Sequence, residues 1–314
     1  MLSFDCLAVP KACTIVAGKI VPTLNTSDNN FDCFTAPTEQ RVFFYKIAFC
    51  TATTVAVPAN ATVNQVTSID RSSCSTLWQN TAGAEVSVNV GATNTFPGTI
   101  IMPPVGTYNS IYVEIDPTFA YAWSGTIATA ATTSGINGGG DTTGTTCFTN
   151  GGKKMNNQDV GTGKANNITC NSGPAAPVPS IINNNVLGMI GNPPTSDITS
   201  MVGVVPSFGT QTYSAALINQ ATGIVRTPGN PIVSRNQLVT SPSPRSPTPG
   251  TTVIGAWMTM TNKITPTTSS FVIKMSNTQG INIQFGDNGG APAVWDNRIN
   301  GAVNGSFDFN LTVQ

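Results

Sequence analysis

Histidine is absent from this 314-residue chain, and with it goes a good deal of chemistry. Ser-His-Asp and Cys-His nucleophile arrangements cannot be built without an imidazole, and histidine metal sites are excluded as well. Seven cysteines are present, yet none stands in a Cys-x-x-Cys pair, so the usual zinc spacings are missing. Charge is scarce too. Asp, Glu, Lys and Arg make up 9% of the residues, where an ordinary soluble domain carries about a quarter. Lys plus Arg and Asp plus Glu number 14 each, for a net charge of zero. The densest basic spot, Lys153 and Lys154 with Lys164 nearby, lies in a Gly/Asn-rich stretch and reads as a solvated turn, so no nucleic-acid partner is expected. No apolar run approaches the ~18–20 residues of a membrane-spanning helix, so no membrane span is expected. There is no Gly-x-Ser-x-Gly elbow. Gly161-Thr-Gly-Lys164 lacks the first glycine and the final Ser/Thr of a phosphate loop.

Helix formers are thin as well, with glutamate only at Glu39, Glu85 and Glu114, whereas Thr, Val, Gly and Asn abound. β-Branched residues separated by Gly/Asn turns favour sheets. The expected class is all-β, an antiparallel β-sandwich of jelly-roll or Ig-like form. It has one or two domains with long Gly/Asn/Thr-rich loops.

Alternation places the strands. Arg41–Cys50 is apolar on both faces, as in a sandwich core. In Glu85–Val90, Val86, Val88 and Val90 face inward. In Ser110–Asp116, Ile111, Val113 and Ile115 share one face and Tyr112, Glu114 and Asp116 the other. Pro103–Thr107 reads as a turn, and Thr252–Thr261, which carries Trp257, reads as regular structure again. Ser270–Ser276 alternates, as does Gly280–Phe285, which puts Ile281, Ile283 and Phe285 together. The end alternates too, with Phe307, Phe309, Leu311 and Val313 on one side of a strand over Ser306–Gln314. Residues 1–40 read as an extended arm, with a strand over Thr14–Ile20. Residues 41–175 read as a sandwich domain with a polar surface excursion at 124–175, too poor in apolar residues for a core of its own. Residues 176–250 read as a Pro-rich connection, strap-like at Ser241–Gly250, and residues 251–314 as strands that complete the sandwich or form a second domain.

Dispersed cysteines in a polar β protein point to disulfides and an oxidising compartment. Cys50 with Cys74 and Cys147 with Cys170 are the local pairs, each closing a loop of about 25 residues; two of Cys6, Cys13 and Cys33 would form a third. Seven is odd, which leaves a free thiol or a bond between chains. Residues Met1–Pro10 lack the basic start and apolar core of a signal peptide. Either a leader is already gone or the protein is used without export, as virion proteins are. Sequons stand at Asn25, Asn60, Asn167, Asn304 and Asn310, in a composition that produces such triplets by chance.

Some residues could carry chemistry. Glu114 and Asp116, about 7 Å apart on one strand face, have the pairing of a glycosidase; the plainer reading is a solvated outer face. Asp287-Asn288-Gly289-Gly290 could offer oxygens to calcium but reads first as a turn. Trp78, Trp123, Trp257 and Trp295 are scattered, as core packing rather than a sugar platform would have them. No catalytic residue, metal or cofactor is therefore assigned.

The stretch Ala36-Pro-Thr-Glu39, then Tyr45-Lys-Ile-Ala-Phe-Cys50, a second cysteine at Cys74, and Pro104-Val-Gly-Thr-Tyr108 before a strand resembles a group of uncharacterised secreted β-rich proteins of aquatic bacteria. The similarity covers about residues 36–150. It implies an external location and brings no site. In general character the chain is similar to extracellular filament and surface-layer subunits. The expected role is thus a self-assembling, pilus-like or layer-forming cell-surface subunit whose copies join by strand pairing of terminal segments. Phe307, Phe309, Leu311, Val313, Ile15 and Ala17 are the contact candidates. A neutral secreted monomer, a virion component (capsid, decoration or fibre) and a carbohydrate-binding adhesin or glycosidase, with surface glycans as partners, are the alternatives.

Overall fold

The computed structural model describes residues 11–26, 29–52, 67–68, 70–89, 96–116, 118–133, 142–155, 158–159, 167–183, 199–205, 209–221, 224–227, 230–231, 252–287, 290, 292–304 and 308–314. Among them there are strands and turns and no helix, so the all-β reading holds. The early strands are β1 (Thr14–Val16), β2 (Lys19–Val21), β3 (Cys33–Thr35), β4 (Glu39–Cys50), β5 (Thr67–Ser68), β6 (Cys74–Asn89), β7 (Gly106–Ile115) and β8 (Thr118–Ala122). The middle of the chain gives β9 (Ser124–Thr133), β10 (Thr143–Thr149), β11 (Lys153–Met155), β12 (Gln158–Asp159), β13 (Ile168–Asn171), β14 (Ser180–Asn183), β15 (Thr199–Val205) and β16 (Gly209–Asn219). The last third adds β17 (Ile224–Thr227), β18 (Asn230–Pro231), β19 (Thr252–Ile264), β20 (Phe271–Ser276), β21 (Ile281–Asp287), β22 (Trp295–Asn304) and β23 (Asp308–Val313).

Two compact units result, and neither is continuous in sequence. The first combines Met1–Gln40, Ala120–Asn183 and Ser276–Phe307; the second combines Arg41–Phe119, Asn184–Met275 and Asp308–Gln314. Alternation along one strand says nothing about which distant strand it joins, so the linear division at 40, 175 and 250 does not mark these units.

The sheet of the first unit runs β1-β2-β9-β22-β21-β3. It opens with a hairpin rather than one strand over Thr14–Ile20. Val16 pairs with Lys19 around Ala17 and Gly18, both at positive φ (49° and 75°), the geometry of a two-residue turn that keeps the strands' twist. The other end of the sheet returns to this beginning. Ala12 bridges Phe34 of β3 in parallel, the Cys13 N–H donates to the Phe34 carbonyl at 2.9 Å, and Cys13 is disulfide-bonded to Cys33. The sheet is therefore nearly barrel-shaped. Its β2–β9 and β22–β9 pairs are parallel, which a purely antiparallel sandwich does not have.

Ser124–Thr133, Thr143–Thr149 and Ile168–Asn171 are strands of this sheet, and Lys153–Met155 and Gln158–Asp159 join the other large sheet, which corrects the surface-excursion reading. β10 pairs with both β9 and β13, and Ile127, Ala131, Cys147, Phe148, Ile168 and Cys170 are buried. A few well-placed apolar residues suffice because a closing sheet has a narrow interior. Gly144 shows how tight it is: a Cβ there would strike the Asn171 backbone, next to a register shift between Gly144 and Thr146. In β21, Ile281, Ile283 and Phe285 are buried together, as their alternation predicts.

The second unit carries the run β4-β7-β19-β16-β15, with β6 also on β4. The central strands are buried on both faces: Ile111, Val113 and Ile115 on one side of β7, Tyr112 and Glu114 on the other. β15 and β16 come from the stretch read as a Pro-rich connection, and β16 pairs with β19 over Tyr213–Asn219. That stretch holds Val202, Val204, Val205, Tyr213, Leu217 and Ile218 between its prolines, a strand signal that its overall composition hides. Ser241–Gly250 lies outside the described residues. β6 begins at Cys74, well before the alternating Glu85–Val90 segment; Val86 is buried, and Val90 is outside the described residues. Within β6, Gly83 sits at φ 77°, and a Cβ there would run into the Phe43 ring.

Candidate functional site

The end of the chain is docked. β23 pairs with β20 in a two-stranded sheet. Gln314 and Ser270 exchange both backbone hydrogen bonds, at 3.0 and 3.1 Å, the signature of an antiparallel hydrogen-bonded pair. In such a ladder the backbone groups of alternate residues point to opposite sides, so Val313 and Leu311 direct theirs away from β20. Of the contact candidates, Val313 is half-buried, Phe309 and Leu311 lie on β23, and Phe307 lies outside the described residues.

At the other end, β1 is the terminal strand of the path β1-β2-β9, with Ile15 56% and Val16 57% exposed. Ala17 is exposed in the turn. Among the described residues, β1 is thus a short edge strand with outward apolar side chains.

The carboxylate pair is placed otherwise than the sequence suggests. Glu114 is 2% and Asp116 7% exposed, so their face of β7 is interior and not solvated. Tyr112 donates its hydroxyl to Glu114 Oε1 at 2.9 Å, and the Arg71 guanidinium reaches the same oxygen at 2.7 Å. Tyr45 donates to Asp116 Oδ2 at 3.0 Å. Burial raises the Tyr112 hydroxyl well above the usual phenol range, helped by the charge of Glu114; burial followed by Asp116 does the same to Tyr45. Lys46, the register partner of Glu114 on β4, is held below the ordinary lysine range by burial first, with Glu114 opposing and Arg71 adding to the fall. Arg71 and Lys46 were not singled out in the sequence, since nothing local ties them to residues so distant along the chain. The cluster is a satisfied buried ionic network of the kind that holds strands in register.

The three disulfides are Cys13–Cys33, Cys50–Cys74 and Cys147–Cys170, including both local pairs read from spacing. Cys147 and Cys170 face each other in the β10–β13 register. Cys6 lies outside the described residues. Such bonds fit an oxidising compartment.

Three tryptophans, Trp78, Trp123 and Trp257, are buried; Trp295 is half-buried and donates to the Arg298 carbonyl. Of the calcium-like string, Asn288 and Gly289 lie outside the described residues, and no metal-ligating cluster occurs among the described ones. Among the sequons, Asn167 is fully buried. Its side-chain amide donates to the Ala302 carbonyl at 2.8 Å and accepts from the Ala302 N–H at 2.9 Å, so it is closed to a glycan. Asn60 is outside the described residues.

One surface had no place among the candidates: Ile100, Ile101, Met102 and Val105 all face solvent. Its signal was present as an apolar triplet running straight into Pro103-Pro104, which a central strand cannot accommodate. No helix among the described residues is long and apolar enough to cross a membrane. Neither the family models, the curated proteins nor the solved structures contain a match to this chain.

Proposed function

We propose that the chain is a structural subunit that assembles with copies of itself into an extracellular filament or surface layer by strand pairing of its terminal segments. The observation that carries this reading is the strand β23, held on one side in a sheet that has two strands among the described residues. Two-stranded sheets are marginal alone, and an added strand from a neighbour would satisfy the outward backbone groups of Leu311 and Val313. The exposed β1 edge offers a second such place, and a net charge of zero leaves copies unopposed. For the second unit we retain the β-sandwich reading, because strands buried on both faces need a layer against each. The disulfides support a cell-surface location.

The test is a proline at Val313, which removes an outward N–H while leaving the Gln314–Ser270 pair. Sedimentation velocity and electron microscopy of wild type should show polymers. Val313→Pro should retain the wild-type circular dichroism spectrum and lose most of the polymer. A wild-type protein that stays monomeric at high concentration, or a Val313→Pro variant that polymerises normally, would overturn the reading.

A further inference from the structure

The β1–β2 hairpin is closed on itself and lightly tied to the rest of its unit. Thr14 pairs with Val21 and Val16 with Lys19. Lys11 Nζ donates to the Thr23 and Leu24 carbonyls at 3.0 and 2.9 Å, which shuts the base of the hairpin. Within residues 11–24 only Ile20 is buried. Among the described residues, the ties outward are Ile20 opposite Ile127 of β9, two backbone bonds to β3 and one disulfide. The Cys13 N–H donates to the Phe34 carbonyl at 2.9 Å, the Phe34 N–H donates to the Lys11 carbonyl at 2.8 Å, and Cys13 is bonded to Cys33. Cys13 is half-buried between exposed Ala12 and exposed Thr14, so a small thiol can reach it.

A reduced disulfide re-forms readily where the fold keeps its two thiols side by side, because their effective concentration stays high. Cys147 and Cys170 are fully buried and face each other in the β10–β13 register. Cys50 is fully buried in a core cluster with Tyr45, Tyr112 and Trp257, and Cys74 packs against that cluster. The Thr51 N–H bonds to the Ser73 carbonyl alongside, at 3.0 Å. Both of these pairs stay together without their covalent bond. Cys13 does not, since two hydrogen bonds from an exposed segment and one buried side chain are all that return it to Cys33.

We infer that Cys13–Cys33 is a thiol-operated latch: a dithiol reductant opens it and releases the hairpin from β3 and β9 while the rest of the sheet stays folded. One thiolate of the reductant attacks Cys13 Sγ, the Cys13–Cys33 bond breaks, and Cys33 leaves as a thiolate that takes up a proton. The reductant's second thiol then displaces Cys13 from the mixed disulfide. Both cysteines end as thiols and the reductant as a disulfide. Release uncovers the edge of β9 at Ile127 and undoes the return from β3 to Ala12. The nearly closed sheet becomes an open one, by a local opening rather than a global one.

Graded dithiothreitol, followed by iodoacetamide and peptide mass spectrometry, reads the order of opening. Cys13 and Cys33 should become alkylated at about ten-fold less dithiothreitol than either other pair. At that concentration amide hydrogen exchange should quicken in β1, β2 and at Phe34, with β10 and β13 unchanged. The double variant Cys13→Ser with Cys33→Ser should give the same exchange map with no reductant present. Another pair opening first, or all three together, would overturn the inference. So would hairpin amides that stay as protected after reduction as before. A double variant that fails to fold would overturn it as well, because the bond would then hold the whole unit and not a hairpin.

Discussion

The two units keep their strands together by different means. In the first, the sheet comes nearly full circle, with Cys13–Cys33 where it returns from β3 and Cys147–Cys170 between the paired strands β10 and β13. Its polar contacts are backbone-like, with the Asn167 amide bonded twice to Ala302. The second unit has one disulfide, Cys50–Cys74, beside a core rich in large aromatic residues (Tyr45, Tyr112 and Trp257), and it buries charge: Arg71 on Glu114, and Asp116 beneath Tyr45. The first sheet gains from cross-links that restrict its unfolded chain. The second unit packs Tyr112 against Trp257 and carries an ionic network beside them.

The sharpest way to break this contrast is Glu114→Ala. It leaves the Arg71 guanidinium with an unpaired, partly buried charge and removes the acceptor of Tyr112. A loss of about 3–5 kcal/mol is expected, measured by urea unfolding, with faster amide hydrogen exchange in β7 and β19 and little change in β9 and β10. Removing the Cys147–Cys170 bond by Cys147→Ala with Cys170→Ala should cost about 3 kcal/mol with the opposite map, β10 and β13 exchanging faster while β7 is unchanged. If both changes loosened both units equally, the distinction drawn here would fail.

A third effect, absent at neutral pH, is alkaline. Tyr45 and Tyr112 in the second unit and Tyr121 in the first are raised above the phenol value of 10.0, in each case chiefly by burial. A raised folded-state pKa means that the folded chain keeps a proton which the unfolded chain releases. The stabilisation is complete below pH 10 and is lost as pH rises above it, by about 1.4 kcal/mol per tyrosine per pH unit. Thermal melts followed from pH 9 upward should fall only beyond about 10. Melts that decline well below that pH would show the phenols to be accessible.

Much of the fold was legible strand by strand. The β4, β7, β20, β21 and β23 segments announce themselves by alternation or by an unbroken apolar run, and spacing alone gave Cys50–Cys74 and Cys147–Cys170. Misreadings came where composition averages over a window. The residues in β9, β10 and β13 are mostly Thr, Ala and Gly, yet their few Ile, Phe and Cys face one interior. Prolines around β15 and β16 masked two paired strands. Glu114 looked solvated because its neighbours alternate, and only the layer over that face, with Arg71 arriving from 43 residues away, makes it buried.

By itself, then, the sequence determined the all-β class, the absence of histidine chemistry, the local disulfides and the strand at Asp308–Val313, because period, composition and loop length are local properties of a chain. Tertiary structure alone decided that the first sheet curls back from β3 to Ala12, that β23 docks on β20, and that Ile100–Val105 is held outward. These depend on which distant strands pair, and strand pairing is set by the sum of many long-range contacts that no single segment encodes.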